Sequence, residues 1–349
     1  MFVFLIFIFL ILFGMHYYVL AKILGFFVNT NKIWLYALIL AAMYPLASII
    51  DRTSHSGATI ALYYAASVWI GIVFLAFFTI LIFEAINIVY PVFDRLIFAG
   101  IIIGIIVLVT IISVASAAQI KVKEVQIDNF GKDMTVVQLS DVHIGTIKNT
   151  AFLNRVVKKT NSLNPDIVVI TGDLLDGSGK LNLDVLEPLN EINAPVYMIM
   201  GNHEFYEGED RVIKLLNKTN VTVLRNDSVT VKGIEIIGLD YSENKTYVSK
   251  ELEKIKINDS KPSILLNHVP IGYIDAKNAG IDLQLSGHTH AGQIFPFTLL
   301  VRAAFPKYRG LYTFEDSNFA LYVSQGTGTW GPPMRLGSTG EITLLHLKK

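Results

Sequence analysis

The sequence predicts an α/β domain preceded by four membrane-spanning helices. Three observations carry that expectation. Charge is unevenly shared: residues 1–120 hold seven charged side chains, and the other 51 lie in residues 121–349. Beyond residue 120, short apolar runs alternate with helical patterns, as in α/β folds. The polar motifs of that half follow strand ends, where open α/β sheets place ligands.

The chain has 349 residues, long for one domain, and 52% are hydrophobic. The reading is a membrane region, 1–120, and a catalytic domain, 121–349. A bilayer core takes about 20 apolar residues in helix. Residues 1–21, 33–50, 58–83 and 96–118 supply four such runs, with Pro45 inside the second. The breaks hold Lys22, Lys32, Asp51, Arg52, Glu84, Asp94 and Arg95. No basic residue precedes the first apolar core and three spans follow, so a retained helix is expected rather than a signal peptide. Four spans put both ends on one side. The positive-inside count ties, with Lys22, Lys32 and Arg95 against Arg52, Lys121 and Lys123. The first loop, with two lysines and no acid, favours an outward-facing catalytic domain in the plasma membrane. His16 reads as interfacial, and Gly100-x-x-x-Gly104 as a place for close helix packing. With so few charges the spans offer no polar path, which argues for an anchor over a transporter.

In the second half, Val122–Ile127 and Met134–Leu139 read as strands. Thr150–Ser162 is a helix, with Phe152, Leu153, Val156 and Val157 on one face. Strands follow at Ile167–Ile170, Val196–Met200, Ile234–Leu239, Ser263–Leu266, Asp282–Leu285, Leu321–Ser324 and Glu341–Leu347. Helices are expected at Leu181–Ile192 despite Pro188, at Glu207–Asn217 and at Lys250–Ile257. This half carries 25 Lys/Arg against 26 Asp/Glu, so no polybasic surface argues for nucleic acid. There is no cysteine, hence no disulfide and no thiolate site.

The motifs run in order: Asp141-Val142-His143, Gly172-Asp173, Gly201-Asn202-His203, Asn267-His268 and Gly287-His288-Thr289-His290. Side chains at i and i+2 at a strand end share a face. Of the six histidines beyond residue 120, only His346 lies outside these motifs. Glycines before Asp173, Asn202 and His288 suit tight backbone turns. Oxygen donors with imidazoles and no thiolate suit Mn, Fe, Zn or Co.

The series resembles the dinuclear centre of the calcineurin-like metallophosphoesterases, over residues 122–347. The resemblance implies a β-sandwich flanked by helices (αββα) and two divalent metal ions, manganese favoured. It implies that Asp141, His143 and His290 hold one metal, that Asn202, His268 and His288 hold the other, and that Asp173 bridges them. A metal-bridging hydroxide would attack phosphorus, with His203 as catalytic acid at the leaving oxygen. Gly172-Asp173-Leu174-Leu175-Asp176-Gly177 lacks the arginine of the protein-phosphatase branch. Ala291-Gly292-Gln293 and the run Gly326–Arg335 resemble the YkuE-like phosphodiesterase branch, which has membrane-anchored members. The expected function is hydrolysis of a phosphodiester or pyrophosphate, with a lipid-linked substrate as one candidate and membrane lipids as partners. A catalytically silent metal-binding scaffold is the alternative from another class, and a nucleotide phosphodiesterase or nuclease the alternative within enzymes. Arg335 is a candidate substrate contact, a surface salt bridge the equal alternative. The apolar stretch 294–305 reads as core or lid, or as a surface resting on the bilayer.

Overall fold

A computed structural model describes residues 2–28, 30–91, 95–258, 260–315 and 317–349, without the side chains of 2–4 and 95. Asp94 and the side chain of Arg95, both counted among the loop charges, lie outside the described residues, as does Met1 of the first expected span. The chain divides into two compact units: Met1–Ser116 with Gly331–Leu336, and Ala117–Trp330 with Gly337–Lys349.

The first unit contains α1 (Phe2–Gly25), α2 (Ile33–Thr53), α3 (Gly57–Val89) and α4 (Arg95–Ala118). All four are long and apolar enough to cross a membrane. Three run past the expected ends, because the residues read as breaks are accommodated in helix. Asp51 and Arg52 close α2, and Glu84 lies inside α3, where it pairs with Lys22 and accepts from Tyr18 Oη. Ser56 caps α3 by accepting from the Thr59 N–H. His16, near the end of the first expected span, packs inside the helical unit. It is buried, its Nδ1 donating to Leu12 O (2.7 Å) and its Nε2 accepting from Trp69 Nε1 (3.1 Å). The Gly100/Gly104 pair does not mediate close packing, since a Cβ at either would meet nothing within 4 Å. Gly71 does: a Cβ there would fall 2.6 Å from Met334 Sδ.

The second unit begins with β1 (Ile120–Ile127) and β2 (Met134–Leu139), then α5 (Thr150–Ser162) and β3 (Ile167–Thr171). Asn149 caps α5, its side chain accepting from the N–H groups of Ala151 and Phe152. The single helix expected over 181–192 is only α6 (Leu183–Leu186) followed by a 3₁₀ turn over Glu187–Glu191. Pro188 has no N–H to continue an α-helical ladder. After β4 (Val196–Ile199) come α7 (Asn202–Glu207) and α8 (Glu209–Leu216). The helix expected over Glu207–Asn217 is α8, within two residues at each end; the short α7 before it was not expected, and Gly208, at φ 97°, separates the two. Next are β5 (Val221–Val223), β6 (Asp227–Val231), β7 (Ile234–Gly238), α9 (Tyr247–Leu252), β8 (Ser263–Leu266), α10 (Tyr273–Asn278) and β9 (Leu283–Ser286). The chain closes with α11 (Phe297–Ala304), β10 (Gly310–Phe314), β11 (Ser317–Val323) and β12 (Gly340–Leu347).

The strands form two six-stranded mixed sheets, ordered β1-β12-β2-β3-β4-β5 and β10-β11-β9-β8-β7-β6. Within them β2 to β5 run parallel, as do β7, β8, β9 and β11. Strand alternation sorts the side chains. Val136, Ile167, Val169 and Ile199 of the first sheet meet Ile236, Leu266, Leu285 and Tyr322 of the second in one core. Val137, Leu139, Val168 and Ile170 pack outward with Phe152, Leu153 and Leu216. Leu265, Leu321 and Val323 pack outward with Val248, Leu252 and Ala276. The result is an αββα sandwich. Each fully buried aliphatic side chain contributes about 1.5–3 kcal/mol over an exposed one.

Gly238, at the end of β7, marks how closely the layers approach. A Cβ there would lie 2.4 Å from Leu224 Cβ and 2.8 Å from Ile199 Cγ2. Gly238→Ala should therefore destabilise the protein by roughly 1–3 kcal/mol. The check is the melting temperature of the purified chain in detergent, where an unchanged value would refute so tight a contact.

Candidate metal centre

The parallel strands of both sheets deliver their C-terminal ends to one place. The loop after β2 carries Asp141 and His143, that after β3 Asp173, and the start of α7, just after β4, Asn202 and His203. From the second sheet, the loop after β8 carries His268, and that after β9 His288 and His290.

Side-chain alternation along a strand does not explain the convergence, contrary to the i, i+2 reading. β2 stops at Leu139, and Asp141 and His143 follow in a loop with φ of 50° and 52°. Asp173 (51°), His288 (69°) and His290 (48°) are likewise in the left-handed region. Side chains other than glycine rarely adopt it, and it persists where surrounding structure enforces it. Here the enforcement is backbone pairing between loops. The N–H groups of Asp141, His143 and Ile144 donate to the carbonyls of Gly172, Asp173 and Leu174 (3.0, 3.1 and 2.8 Å). Gly287 N–H donates to His268 O (2.9 Å), and the His288 N–H reaches Asp141 Oδ1 at 3.0 Å.

Of the three motif glycines, Gly172 alone needs a positive φ, at 89°. The other two are needed for space. A Cβ on Gly201 would lie 2.2 Å from Asp173 Oδ1, and one on Gly287 1.9 Å from Ser140 Oγ.

Two donor groups result. In the first, Asp141, His143 and His290 come together, with His143 Nε2 3.0 Å from His290 Nε2 and His290 Nε2 3.4 Å from Asp141 Oδ1. In the second, Asp173, His268 and His288 meet, joined by Asn202, whose Oδ1 lies 3.2 Å from His268 Nε2 and 3.1 Å from His288 Nδ1. Asp173 Oδ2 spans both groups, 3.8 Å from His143 Nε2 and 3.3 Å from His268 Nε2. His268 Nδ1 donates to Thr171 O (2.7 Å), which turns the Nε2 lone pair towards Asn202 Oδ1 and His288 Nδ1. Electron-rich atoms crowded in this way repel unless a proton or a cation sits among them.

The titration behaviour expresses the same tension. Burial pushes the Asp141 carboxyl up to about 6, against the opposing charge of His268. Burial also acts on Asp173, but His268, then His143 and His203, outweigh it and hold that carboxyl far below the usual range. Burial alone would depress His268, yet Asp173 raises it to about 9. His288 is pushed down to about 3 by burial and by the charge on His268. The opposite shifts of Asp173 and His268 have one cause, the mutual stabilisation of a carboxylate and an imidazolium side by side. Oxygen and imidazole donors in two groups with a shared carboxylate fit a pair of divalent ions.

His203 stands beside the donors rather than among the seven. Its N–H donates to Asp173 Oδ1 (2.9 Å), and its Nδ1 donates to Asp176 O (2.8 Å), which leaves Nε2 for a reacting group. Its ring meets His143 edge-on at 4.6 Å. Arg335 is fully buried in the segment Gly331–Leu336 of the helical unit, its N–H donating to Ser113 O, so it is not a surface salt bridge. His346, the histidine outside the motifs, faces Glu124 (3.2 Å) at the partly exposed β1–β12 pair.

Sequence reasoning missed Glu204. Its carboxylate is fully buried and accepts three backbone N–H groups: Asp173 (2.9 Å), Leu175 (3.0 Å) and Gly201 (2.8 Å). Burial, then the charge of Asp173, pushes it up to about 7. The signal was present, because a glutamate three residues after Gly201 is the capping-box position of α7. Asp176 was also missed; its Oδ1 lies 3.6 Å from His143 Nδ1.

The fold and the donor groups suit a metal-binding α/β sandwich, and the comparisons with known proteins give its family. The calcineurin-like phosphoesterase pattern matches residues 134–292. An uncharacterized metallophosphoesterase of Campylobacter jejuni is 39% identical over 237 residues, 66% of this chain and 63% of that protein. YkuE of Bacillus subtilis, another uncharacterized metallophosphoesterase, is 33% identical over 229 residues, 61% of this chain and 78% of that one. A transmembrane protein with metallophosphoesterase domain from Bos taurus is 35% identical over 238 residues, 62% of this chain and 53% of that one. The chain spans less than two thirds of the length of the first and third of these. It belongs to the calcineurin-like phosphoesterase family. With its four apolar helices it is a multi-pass membrane protein.

Two outcomes follow from this geometry. Glu204→Gln keeps the shape but turns an NH2 towards backbone donors, and should cost about 1–3 kcal/mol, read as a lowered melting temperature. Gly201→Ala should displace Asp173, so that bound metal per chain, measured by elemental analysis, falls below the wild-type value. Wild-type metal content would contradict the 2.2 Å approach.

Proposed function

We propose that the chain is a membrane-anchored dinuclear-metal phosphoesterase that hydrolyses a phosphodiester or pyrophosphate bond. Residues 1–120 would anchor it, and residues 121–349 would carry the chemistry. The observation that supports this best is the meeting of Asp141, His143, Asp173, Asn202, His268, His288 and His290 from beyond five strand ends of two sheets. Asp141, His143 and His290 would hold one ion, Asn202, His268 and His288 the other, and Asp173 both. Such a pair acidifies bound water and clamps phosphoryl oxygens.

The chain's own residues supply the rest. His203, oriented through Asp176 O, offers Nε2 to the leaving oxygen. A proton carried there would neutralise the departing alkoxide or phosphate. Glu204 holds the loops of Asp173 and Gly201 in register. Tyr241, its ring centroid 6.1 Å from that of His268 and 6.3 Å from that of His288, walls the second donor group. A lipid-linked substrate is favoured by the membrane helices, and the Ala291-Gly292-Gln293 and Gly326–Arg335 motifs support a place beside YkuE. The two lysines after the first helix favour an outward-facing catalytic unit.

The test is hydrolysis of bis-nitrophenyl phosphate by the full chain in detergent, after chelation and add-back of Mn²⁺, Fe²⁺, Co²⁺ or Zn²⁺. Chelation should abolish turnover and lower the melting temperature, and at least one ion should restore both. Asp173→Ala should lose metal and activity together. His203→Ala should keep its metal and lose roughly 10²–10⁴-fold in rate. Tight metal binding without turnover, on this diester and on lipid diesters and pyrophosphates, would favour a metal-binding scaffold.

A further inference from the structure

Apart from Ile294, which is buried, the stretch 294–305 is not core. Its helix α11 has no buried residue, and large apolar side chains on and beside it face outward. Phe295 is 45% exposed, Phe297 42%, Leu299 58% and Leu300 63%. Contiguous apolar exposure of this kind marks an interaction surface.

The segment is nonetheless held firmly at both ends. Thr289 Oγ1 donates to Tyr308 O (2.6 Å), and Ser338 Oγ donates to Gln293 O (2.9 Å). Gln293 exchanges two hydrogen bonds with the Trp330 backbone (2.8 and 2.9 Å). Apolar side chains are therefore presented on a fixed support next to the donor groups. Phe305, which ends the helix, has its ring 5.7 Å from that of His288.

Charge and chain connectivity identify the occupant. Residues 294–314 contain Arg302, Lys307 and Arg309 and no acidic residue. An apolar helix with a basic flank matches the interface of an anionic bilayer. One residue, Gln119, separates the fourth membrane helix from β1. A residue spans at most about 3.6 Å, so the connection is short. Trp330, 54% exposed and bonded to the base of this segment, directly precedes Gly331–Leu336, which pack within the helical unit. These short covalent links to the helical unit raise the effective concentration of lipid for this unit.

We propose that α11 and its flanks insert shallowly into an anionic phospholipid surface. Phe295, Phe297, Leu299 and Leu300 enter the headgroup–acyl boundary, while Arg302, Lys307 and Arg309 meet lipid phosphates. The donor groups then open beside the lipid phase, where an amphiphilic phosphoester can reach them without crossing water.

The chain has no cysteine, so Leu300→Cys takes a single environment-sensitive fluorophore. The full chain is reconstituted in vesicles of phosphatidylcholine and phosphatidylglycerol, with Glu253→Cys, exposed beyond α9, as the aqueous reference. The label at 300 should emit further to the blue, be quenched by shallow spin-labelled lipid, and resist iodide several-fold better than that at 253. Replacing Arg302, Lys307 and Arg309 with Ser should erase most of that protection. Equal iodide access at 300 and 253 would overturn the proposal. So would protection that rises with protein-to-lipid ratio without quenching by spin-labelled lipid, which would assign the face to a second copy. No substrate is present, so the result is independent of whether the chain turns over a phosphoester.

Discussion

Asp173 brings a buried carboxylate within 3.3 Å of His268 from the opposite sheet and 3.8 Å of His143 from its own. Its backbone occupies that point because Gly201 leaves it room and because Glu204 takes up its N–H. Much of the site follows from this placement. His203 is oriented through its N–H to Asp173 Oδ1, and the carbonyls of Gly172 and Asp173 receive the N–H groups of Asp141 and His143. A buried charge without partners would be strongly destabilising. The histidines around it balance that charge, and the whole group must therefore assemble together.

Such an assembly carries strain. Five of the seven proposed ligands sit at positive φ, a conformation that costs an ordinary residue of order 1 kcal/mol. The offset comes from the αββα core, whose outer and inner faces are filled by fully buried aliphatic side chains. Cross-sheet hydrogen bonds add to it. Gln138 of β2 donates from Nε2 to Ser286 O of β9 at 3.0 Å, which locks the two sheet ends carrying most of the ligands. The rigidity of the sandwich is what keeps a repulsive cluster ready for cations.

Much of this was legible beforehand because it is written locally. Short apolar runs bounded by turns located β2 and β8 to the residue, and the apolar face of Thr150–Ser162 located α5. The donors stood out because chemistry-bearing residues followed strand ends one after another. The misses have physical causes. Pro188 broke a helix that hydrophobic periodicity alone would continue. β5, β6 and β10 went unseen, since these strands are only partly buried and owe their pairing to neighbours. Glu204 went unnoticed because two of its three partners are backbone N–H groups 29 and 31 residues away in the chain.

The amino-acid sequence by itself determined the division into an apolar and a charged half, the class of fold, and which side chains were available as ligands. Each of these depends on composition or on short-range spacing. The tertiary structure decided how those ligands meet: through left-handed loops rather than strand alternation, and across two sheets rather than one. It also decided that β12, from the end of the chain, lies between β1 and β2, and that the most apolar segment after the last histidine stays at the surface. Those outcomes depend on contacts between residues far apart in the chain, where packing and close backbone approach select one arrangement among many that local pattern allows.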